Sequence, residues 1–426
     1  MKYNFDETGD HRQDGSIRWE QPEGRDDIIG MGTADMDFTC APCIRKVLQP
    51  ICEENTYNYR FKPESYFQSV IRWFRENYQL DVKKDWMSNV PGTIGAVRLV
   101  MEKFSEKGDY VLMHTPYFTP LRSAIEASGR KFLGNAMKLQ GGRYEIDFDD
   151  FEKNDQGVQA FDISACESVK NPTGRVFTQD ELKIMVDICA ANQVRIISDE
   201  VHFLITYEDY KHIPILVVSE KAREIAIQVF SFSKGFNIMS LPHGIVFIAN
   251  EKMQKEWMDY LIPYSFAYAS NSYAIAAVTA VTGGEADDWL EQVTAYLTAN
   301  RDYFIEEVRR RKLPITPLKP EASFLFWIDC RESGIDPEKV DEVFMEQAGI
   351  QLNNGLEHGE EGRGFVRMNF AVTRATLDAA LDRIEKYFYR FLLVLLLVSS
   401  RAIMPDAAGI VSTIPKVPQI PCAISM

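Results

Sequence analysis

The chain has 426 residues, of which 46% are hydrophobic and 26% are charged, so it is long enough to bury the cores of two domains. Its formal net charge of −15 argues against a nucleic-acid partner, because little positive charge is left to neutralise phosphates. The start of the chain lacks the charged-then-apolar pattern of a secretion signal and its seven cysteines are scattered, so we expect a cytoplasmic protein with reduced thiols and no membrane association.

Residues 1–45 are polar and rich in turns, which predicts an ordered N-terminal arm that forms part of the smaller of two domains. Within this arm, Cys40 and Cys43 are separated by two residues. No second cysteine pair and no clustered histidines accompany them, so we interpret the segment as the start of a helix rather than as a zinc or redox site. The sequence therefore predicts no metal site.

Residues 46–285 alternate short apolar runs with amphipathic helical stretches. Strands are predicted at residues 111–113, 194–197 and 225–230, and a helix at residues 121–129. This alternation predicts an α/β fold for the large domain, with a mainly parallel sheet covered by helices. In such sheets ligands bind beyond the carboxyl ends of the strands.

Residues 286–390 predict a smaller α+β domain. Its predicted elements are a long helix, two strands and a capped helix, at residues 287–311, 323–329, 364–370 and 373–388.

Residues 391–426 form an apolar, proline-containing tail to which we assign no function. Phe391 to Val398 are eight consecutive apolar residues, too few for a bilayer span, which needs about 20. We expect this stretch to pack on the body as a buried helix end, and a loosely ordered extension is the alternative.

Lys234 follows the apolar run at residues 225–230, where a buried strand would deliver a lysine into a cleft. A lysine in such a place can form a Schiff base with pyridoxal 5′-phosphate (PLP) and later move a proton at the substrate Cα. The alternative is a lysine in a surface loop. The flanking hydroxyls of Ser231 and Ser233 favour the PLP interpretation because they suit a phosphate anchor, and Ser231 is the better phosphate ligand.

Asp199 follows the predicted strand at residues 194–197 and is placed to keep the PLP ring nitrogen protonated, as an electron sink requires. The alternative is a turn or N-cap aspartate. Glu200 is the nearest rival, but strand alternation turns its side chain to the opposite face. His202 could brace Asp199 or reach the phenolate oxygen of the cofactor, although an isolated histidine is more often a hydrogen-bonded polar group.

Three weaker signals lie upstream. Asn171 can donate a hydrogen bond to the phenolate oxygen, although Asn-Pro is equally a turn former. The glycine-containing segment at residues 91–96 precedes a helical stretch, whose first N–H groups attract phosphate. At Tyr117 and Phe118 an aromatic follows a strand, where a ring can stack on the cofactor or simply pack in the core.

Arg367 lies on a predicted strand of the smaller domain. A guanidinium there can grip a substrate α-carboxylate with two parallel hydrogen bonds. The alternative is a salt-bridged arginine on the domain surface, and Arg363 and Arg374 are nearby competitors for the carboxylate-binding role.

Five segments, in this order, resemble the fold type I PLP enzymes of the aspartate aminotransferase superfamily. Within it they look like the branch of MalY and PatB, which includes cystathionine β-lyases and cystalysin. The segments are residues 34–38, 171–176, 198–202, 233–237 and 366–369, which read Ala-Asp-Met-Asp-Phe, Asn-Pro-Thr-Gly-Arg-Val, Ser-Asp-Glu-Val-His, Ser-Lys-Gly-Phe-Asn and Val-Arg-Met-Asn. The likeness covers the chain from about residue 5 to residue 388, and the tail lies outside it. It implies a mainly parallel seven-stranded sheet between helices, plus the smaller α+β domain.

Carried over position by position, the resemblance implies a PLP site shared between the subunits of a homodimer. Cofactor contacts would come from Lys234, Asp199, His202, Asn171, Phe118, Thr93, Ile94, Ser231 and Ser233, with Tyr59 reaching the phosphate bound by the other subunit. Substrate contacts would come from Arg367, Ala34 and Tyr117. Phe118, rather than Tyr117, matches the stacking aromatic of the branch.

The resemblance implies a PLP-dependent carbon–sulfur β-lyase that cleaves cystathionine or another S-substituted L-cysteine to a thiol, pyruvate and ammonia. An aminotransferase would use the same residues and is the first alternative. A regulatory protein that binds a transcription regulator is the second. The chain departs from the branch at Gly32-Thr33, at Ser168-Val169-Lys170 and at Met239-Ser240, positions that bear on the choice of substrate more than on the cofactor.

Overall fold

The computed structural model describes residues 2–9, 11–20, 25, 27–157, 161–166, 169–208, 210–264 and 271–402. Side chains are left undescribed at residues 13, 153–157, 161–166 and 391–402.

The strands, in chain order, are β1 (Ile29–Gly30), β2 (Met87–Val90), β3 (Tyr110–Thr115), β4 (Lys131–Ala136), β5 (Lys138–Gln140), β6 (Arg143–Glu145), β7 (Phe161–Cys166), β8 (Arg195–Asp199), β9 (Ala226–Phe230), β10 (Gly244–Ile248), β11 (Thr316–Leu318), β12 (Leu325–Asp329), β13 (Ile350–Gln351), β14 (Asn353–Asn354) and β15 (Phe365–Asn369). The α-helices are α1 (Pro42–Glu53), α2 (Glu64–Tyr78), α3 (Thr93–Phe104), α4 (Thr119–Ala127), α5 (Phe148–Gly157), α6 (Gln179–Ala191), α7 (Ile215–Val218), α8 (Glu220–Ile225), α9 (Ser233–Phe236), α10 (Glu251–Leu261), α11 (Ser272–Thr282), α12 (Asp287–Arg310), α13 (Val340–Val343) and α14 (Arg374–Ala402). Each strand and helix predicted from periodicity is present, and α1 confirms that Cys40 and Cys43 flank the start of a helix.

A seven-stranded sheet forms the centre of the large domain, in the order β2-β10-β9-β8-β7-β3-β4. β10 runs antiparallel to both of its neighbours, and the other neighbouring strands are parallel. This arrangement confirms the predicted α/β fold with a mainly parallel sheet. Asp199 pairs with Val229, so β8 and β9 end at the same edge of the sheet.

The central strands are buried on both faces, which explains why they read as continuous apolar runs rather than as alternating patterns. Ile196 and Ile197 are both fully buried, yet they belong to different hydrophobic clusters because successive side chains of a strand point to opposite faces. Helices α3, α4 and α10 pack on the Ile197 face, and α2, α6 and α7 pack on the Ile196 face. The sheet is therefore covered by helices on both sides, and ligand-binding side chains are expected at its carboxyl edge.

A second, antiparallel sheet in the order β11-β12-β15-β14 lies in the C-terminal part of the chain. Phe304 of α12 packs against Phe326 of β12, with ring centroids 5.0 Å apart. β1 of the N-terminal arm pairs with β13, with Ile29 opposite Ile350, so the arm is attached to this part of the chain. The domain boundaries at residues 45, 285 and 390 remain predictions.

The C-terminal helix α14 continues to Ala402, so the backbone of the predicted apolar stretch is helical to that point. The side chains of residues 391–402 and the whole of residues 403–426 lie outside the described residues, and the packing of the tail therefore remains a prediction. Among the helices of the described ranges, none combines the length and apolar character needed to cross a lipid bilayer.

Candidate active site

Lys234 lies on the short helix α9, immediately beyond the carboxyl end of β9. It lines a cleft of about 670 Å³ together with Ala34 and Asn237. Its Nζ donates a hydrogen bond of 2.5 Å to the carbonyl oxygen of Ala34. The side chain of Asn237 holds the same arm segment, because its amide donates to the carbonyl of Met36 at 2.8 Å. The N-terminal arm is therefore fixed against the loop that carries Lys234.

Burial lowers the pKa of Lys234 to about 8. The carboxylates of Asp35 and Asp199 oppose this shift, and the guanidinium of Arg367 adds to it. At this pKa about half of the amine is neutral at pH 8, and the neutral amine is the form that attacks an aldehyde.

We expect the reactivity of Lys234 toward PLP to rise with pH around a midpoint of about 8. Below the midpoint the amine is protonated and cannot attack the aldehyde, whereas above it the neutral form predominates. The measurement is the rate of PLP addition to cofactor-free protein from about pH 6 to about pH 10, followed by absorbance. A solvent-exposed lysine has a pKa of about 10.4. A midpoint of PLP addition at that pH would contradict the partial burial of the Lys234 amine.

Asp199 is the last residue of β8 and is buried at the same edge of the sheet as Lys234. Glu200, the next residue, bonds elsewhere: its Oε1 accepts from Ser198 Oγ at 2.8 Å, and its Oε2 lies 2.8 Å from His212 Nε2. Glu200 thus anchors the following loop in the protein interior. Of the adjacent carboxylates of Asp199 and Glu200, it is Asp199 that influences the pKa of Lys234.

His202 is buried, and its Nδ1 lies 3.0 Å from Oγ of Ser323. Its ring packs edge-on against Phe324, with centroids 6.1 Å apart. Burial, together with the positive charges of Lys234 and Arg367, lowers the pKa of His202 to about 3, so the ring is neutral at neutral pH. Sequence reasoning missed Ser323, because no local pattern marks a serine 121 residues away as the partner of a histidine. Contact of His202 with Asp199 or with the cofactor remains a prediction.

Arg367 on β15 joins three segments that are far apart in the sequence. Its Nη1 donates to Oδ1 of Asn171 at 3.1 Å. Its Nη2 donates to the carbonyl oxygen of Gly32 at 3.0 Å and to Oδ1 of Asn353 at 2.7 Å. Arg367 therefore lies beside the predicted phenolate donor, and Asn353 is a site residue that the sequence did not reveal.

Arg363 and Arg374, the alternatives to Arg367 for binding the substrate carboxylate, lie away from the predicted site. Arg363 pairs with Glu338 and Glu360 on the surface. Arg374 stacks on the ring of Tyr303, with its guanidinium carbon 4.0 Å from the centroid. Of the three candidates, the arginine of β15 is the one that the fold brings to the predicted site.

The start of α3 and the loop after β9 lie at one edge of the sheet. Val90 of β2 pairs with Gly244 of β10, and Phe230 of β9 pairs with the next residue, Ile245. The two segments that follow Val90 and Phe230 are therefore separated by a single strand.

Both segments offer groups that bind phosphate. Gly92 has a φ of +81° and no side chain, so it leaves the N–H groups at Thr93 and Ile94 without a side-chain cap. Such a helix start favours an anion. Across β10, the Oγ of Ser231 donates to Oγ of Ser233 at 3.0 Å and accepts from the Ser233 N–H at 3.2 Å. The four residues predicted to lie near the phosphate therefore lie at one edge of the sheet: Thr93, Ile94, Ser231 and Ser233.

Phe118 lines a second cavity, of about 560 Å³, together with Ile94 and Arg367. The ring of Tyr117 packs edge-on against Phe132 instead, with centroids 5.3 Å apart. The structure therefore brings Phe118, and not Tyr117, to the wall of this cavity. Contact of Tyr117 with a substrate remains a prediction.

Tyr59 lies on the surface of the described chain, with 94% of its side chain exposed. Tyr57 and Phe61, on either side of it, are also exposed. Within a single chain the cleft around Lys234 is formed without Tyr59. Its contact with the phosphate of a second subunit remains a prediction.

The residues that the fold brings together match the chemical groups of PLP. A partly neutral lysine suits the aldehyde, and a buried carboxylate suits the protonated ring nitrogen. The uncapped start of α3 and two serine hydroxyls suit the phosphate, and the ring of Phe118 offers a flat face for the pyridine. The donor set therefore fits this cofactor.

Comparisons with known proteins agree with this fit. A family model described as aminotransferase class I and II matches residues 26–384. The chain is 26% identical over 388 residues to cystathionine beta-lyase PatB of Bacillus subtilis, covering 90% of this chain and 99% of that protein. It is 28% identical over 382 residues to protein MalY of Escherichia coli, covering 88% of this chain and 96% of that protein. The solved structure of cystalysin from Treponema denticola, which contains PLP, matches with a TM-score of 0.85 and 26% identity over 92% of this chain and 100% of that chain.

Proposed function

The chain belongs to the aminotransferase class I and II family, and from this membership we propose that it is a PLP-dependent carbon–sulfur β-lyase. Its substrate is cystathionine or another S-substituted L-cysteine, and its products are a thiol, pyruvate and ammonia. The observation that carries this proposal is the half-buried amine of Lys234, which lies beyond the carboxyl end of β9 beside the strand that ends at Asp199, and whose pKa is lowered to about 8. Similarity to a cystathionine beta-lyase along 99% of that protein supports the choice of reaction.

Each residue of the site has one task in this reaction. Arg367 holds the α-carboxylate of the substrate through two parallel hydrogen bonds. PLP, when bound, withdraws the electron pair left on the substrate Cα and so makes loss of the sulfur substituent possible. Lys234 would take the proton from Cα of the substrate. Asp199 would hold the ring nitrogen of the cofactor in its protonated form.

The electrostatics of the site favour Lys234 as a base. A base must be unprotonated at the working pH, and burial lowers the pKa of this amine toward that range. The neutral ring of His202 adds no further positive charge beside it. Ala34, whose carbonyl accepts from the Lys234 amine, supplies a hydrogen-bond partner for the amine when it is free of the cofactor.

An aminotransferase is the alternative, and the description of the matching family model favours it. The same residues would serve, with Lys234 returning the proton to the cofactor side instead of allowing the sulfur substituent to leave. The two reactions differ in their products, so product analysis separates them.

The test is to mix the purified protein and PLP with L-cystathionine, with and without an added 2-oxo acid. Pyruvate and free thiol formed in equal amounts, independently of the 2-oxo acid, are the result that we expect. Formation of an amino acid from the 2-oxo acid, with no pyruvate and no thiol, would replace the β-lyase by the aminotransferase.

We further propose that the protein is a cytoplasmic homodimer. The exposed aromatic side chains of Tyr57, Tyr59 and Phe61 support an interface, because such a concentration of exposed apolar surface marks an interaction site. The unpaired thiols of Cys40 and Cys43 support a reducing compartment. Binding of a transcription regulator remains a prediction, which a pull-down with and without PLP would test.

A further inference from the structure

The cavity of about 560 Å³ beside Arg367 holds two charged side chains to which the proposed reaction gives no task. Arg98 and Ile94 lie on its α3 side, and Glu357 and Asn353 lie on its smaller-domain side. The lining of the cavity therefore contains a cation from α3 and an anion from the smaller-domain part of the chain, both of them solvent-exposed. Its volume is within the range of small-molecule sites, which measure about 300 to 1,000 Å³.

Arg98 lies one helical turn after Ile94 on α3, so both side chains are on the same face of the helix. Its Nε donates to Oε1 of Glu102 at 2.9 Å. Among the described residues, no acceptor is found for its two terminal nitrogens. The planar fork of Arg98 therefore has donors left for a carboxylate.

Glu357 lines the same cavity as Arg98 and comes from a different part of the chain. Its backbone carbonyl accepts from Oγ1 of Thr119 at 2.6 Å, which ties the Glu357 loop to the first turn of α4. Removal from water and the negative charge of Asp341 raise the pKa of its carboxylate, and the charge of Arg367 and the side chain of Asn353 oppose this shift. Asn353 in turn accepts from Arg367 at 2.7 Å. Glu357 is thus tied to α4 through its backbone, and its carboxylate is within electrostatic range of the predicted carboxylate-binding arginine.

We propose that Arg98 and Glu357 form a subsite for the far end of the sulfur substituent of the substrate. The subsite selects thioethers whose substituent ends in a zwitterionic amino-acid group. This inference rests on the proposed function, because that function places an S-substituted cysteine in the cavity with its α-carboxylate on Arg367.

Charge complementarity decides between possible substituents. A substituent that carries only a carboxylate would be attracted by the guanidinium of Arg98 and repelled by the carboxylate of Glu357. One with only an amine would satisfy Glu357 and meet repulsion from Arg98. A neutral substituent such as methyl gains nothing from either side chain. A group that carries both charges matches both walls of the cavity.

The first experiment compares L-cystathionine, which carries a distal zwitterion, with S-methyl-L-cysteine, which does not. Pyruvate release gives kcat/KM for the wild type and for Arg98→Ala and Glu357→Gln. We expect each variant to lower the ratio of kcat/KM for cystathionine to kcat/KM for S-methyl-L-cysteine by about 10- to 100-fold, the effect of one hydrogen bond to a charged group. The matched control is Arg75→Ala, because Arg75 is an exposed helical arginine outside this cavity whose Nε is likewise bonded to one carboxylate, that of Asp81. It should leave the ratio of the two kcat/KM values unchanged.

The second experiment measures binding without turnover. Calorimetry in the Lys234→Ala background, with and without Arg98→Ala, gives the Kd for each of the two amino acids. A selective weakening of cystathionine binding supports the subsite. Equal losses for both ligands, or no loss for either, would overturn it. If the wild type releases no pyruvate from either substrate, the β-lyase proposal fails, and the calorimetric comparison still decides on the subsite.

Discussion

Replacing Lys234 with alanine is expected to abolish turnover and, at the same time, the visible absorbance of the lysine-bound cofactor. The variant loses the amine that would attach PLP covalently and the base that would take the Cα proton. Proton transfer by a positioned side chain is worth about 10² to 10⁴ in rate, so we expect at least that loss in kcat. Pyruvate release and the absorption spectrum of the PLP-saturated protein measure the two effects.

The matched control for this prediction is Lys183→Ala. Lys183 is an exposed lysine on α6 that pairs with Asp187, so its removal should leave activity and spectrum unchanged. Borohydride reduction of the wild type followed by peptide mapping identifies the attached lysine independently of activity. A label on another lysine, or a Lys234→Ala variant that keeps both turnover and absorbance, would contradict the assignment of Lys234.

Replacing Asp199 with alanine is expected to lower kcat by about 10² to 10³. Each unit in the pKa of the ring nitrogen corresponds to about 1.4 kcal/mol, or about tenfold, and loss of a buried partner carboxylate is expected to cost two to three such units. The same change should lower the pKa of Lys234 below about 8, because the negative charge of Asp199 stabilises the ammonium form. The pH at which PLP addition is half-maximal should therefore move down.

These two readouts separate a role in chemistry from a general loss of structure. Asp187→Ala removes an exposed aspartate that pairs with Lys183 and Lys221 on the surface, and it should change neither kcat nor the pH midpoint. An Asp199→Ala variant with wild-type kcat and an unchanged midpoint would rule out the proposed contact with the ring nitrogen.

The elements of the fold could be predicted from the sequence because their patterns are local. A strand buried on both faces reads as an apolar run, and the runs before Asp199 and Lys234 became β8 and β9. Parallel strands of one sheet end at the same edge, and β8 and β9 are neighbours in the sheet, so the residues that follow these two runs lie at one edge. This is why Lys234 and Asp199 could be assigned to one site before their contacts were known.

The choice among similar residues could not be made locally. Arg363, Arg367 and Arg374 occupy similar positions in the sequence, and only the packing of β15 against the arm and the Asn171 loop brings one of them to the cavity that Phe118 lines. Tyr117 and Phe118 are adjacent, and the core around Phe132 decides which ring lies at the cavity wall.

The sequence by itself thus predicted the fold class, several strands and helices including the strands before Asp199 and Lys234, and the lysine and aspartate of the candidate site. Hydrophobic periodicity is a local pattern, and the marked segments resemble those of a known family. Only the tertiary structure revealed Ser323 beside His202, Asn353 beside Arg367, and the opposed charges of Arg98 and Glu357. Ser323 and His202, like Arg98 and Glu357, come from distant segments that meet only in the folded chain. Asn353 meets Arg367 because β14 pairs with β15, and no pattern within a short stretch of sequence encodes any of these contacts.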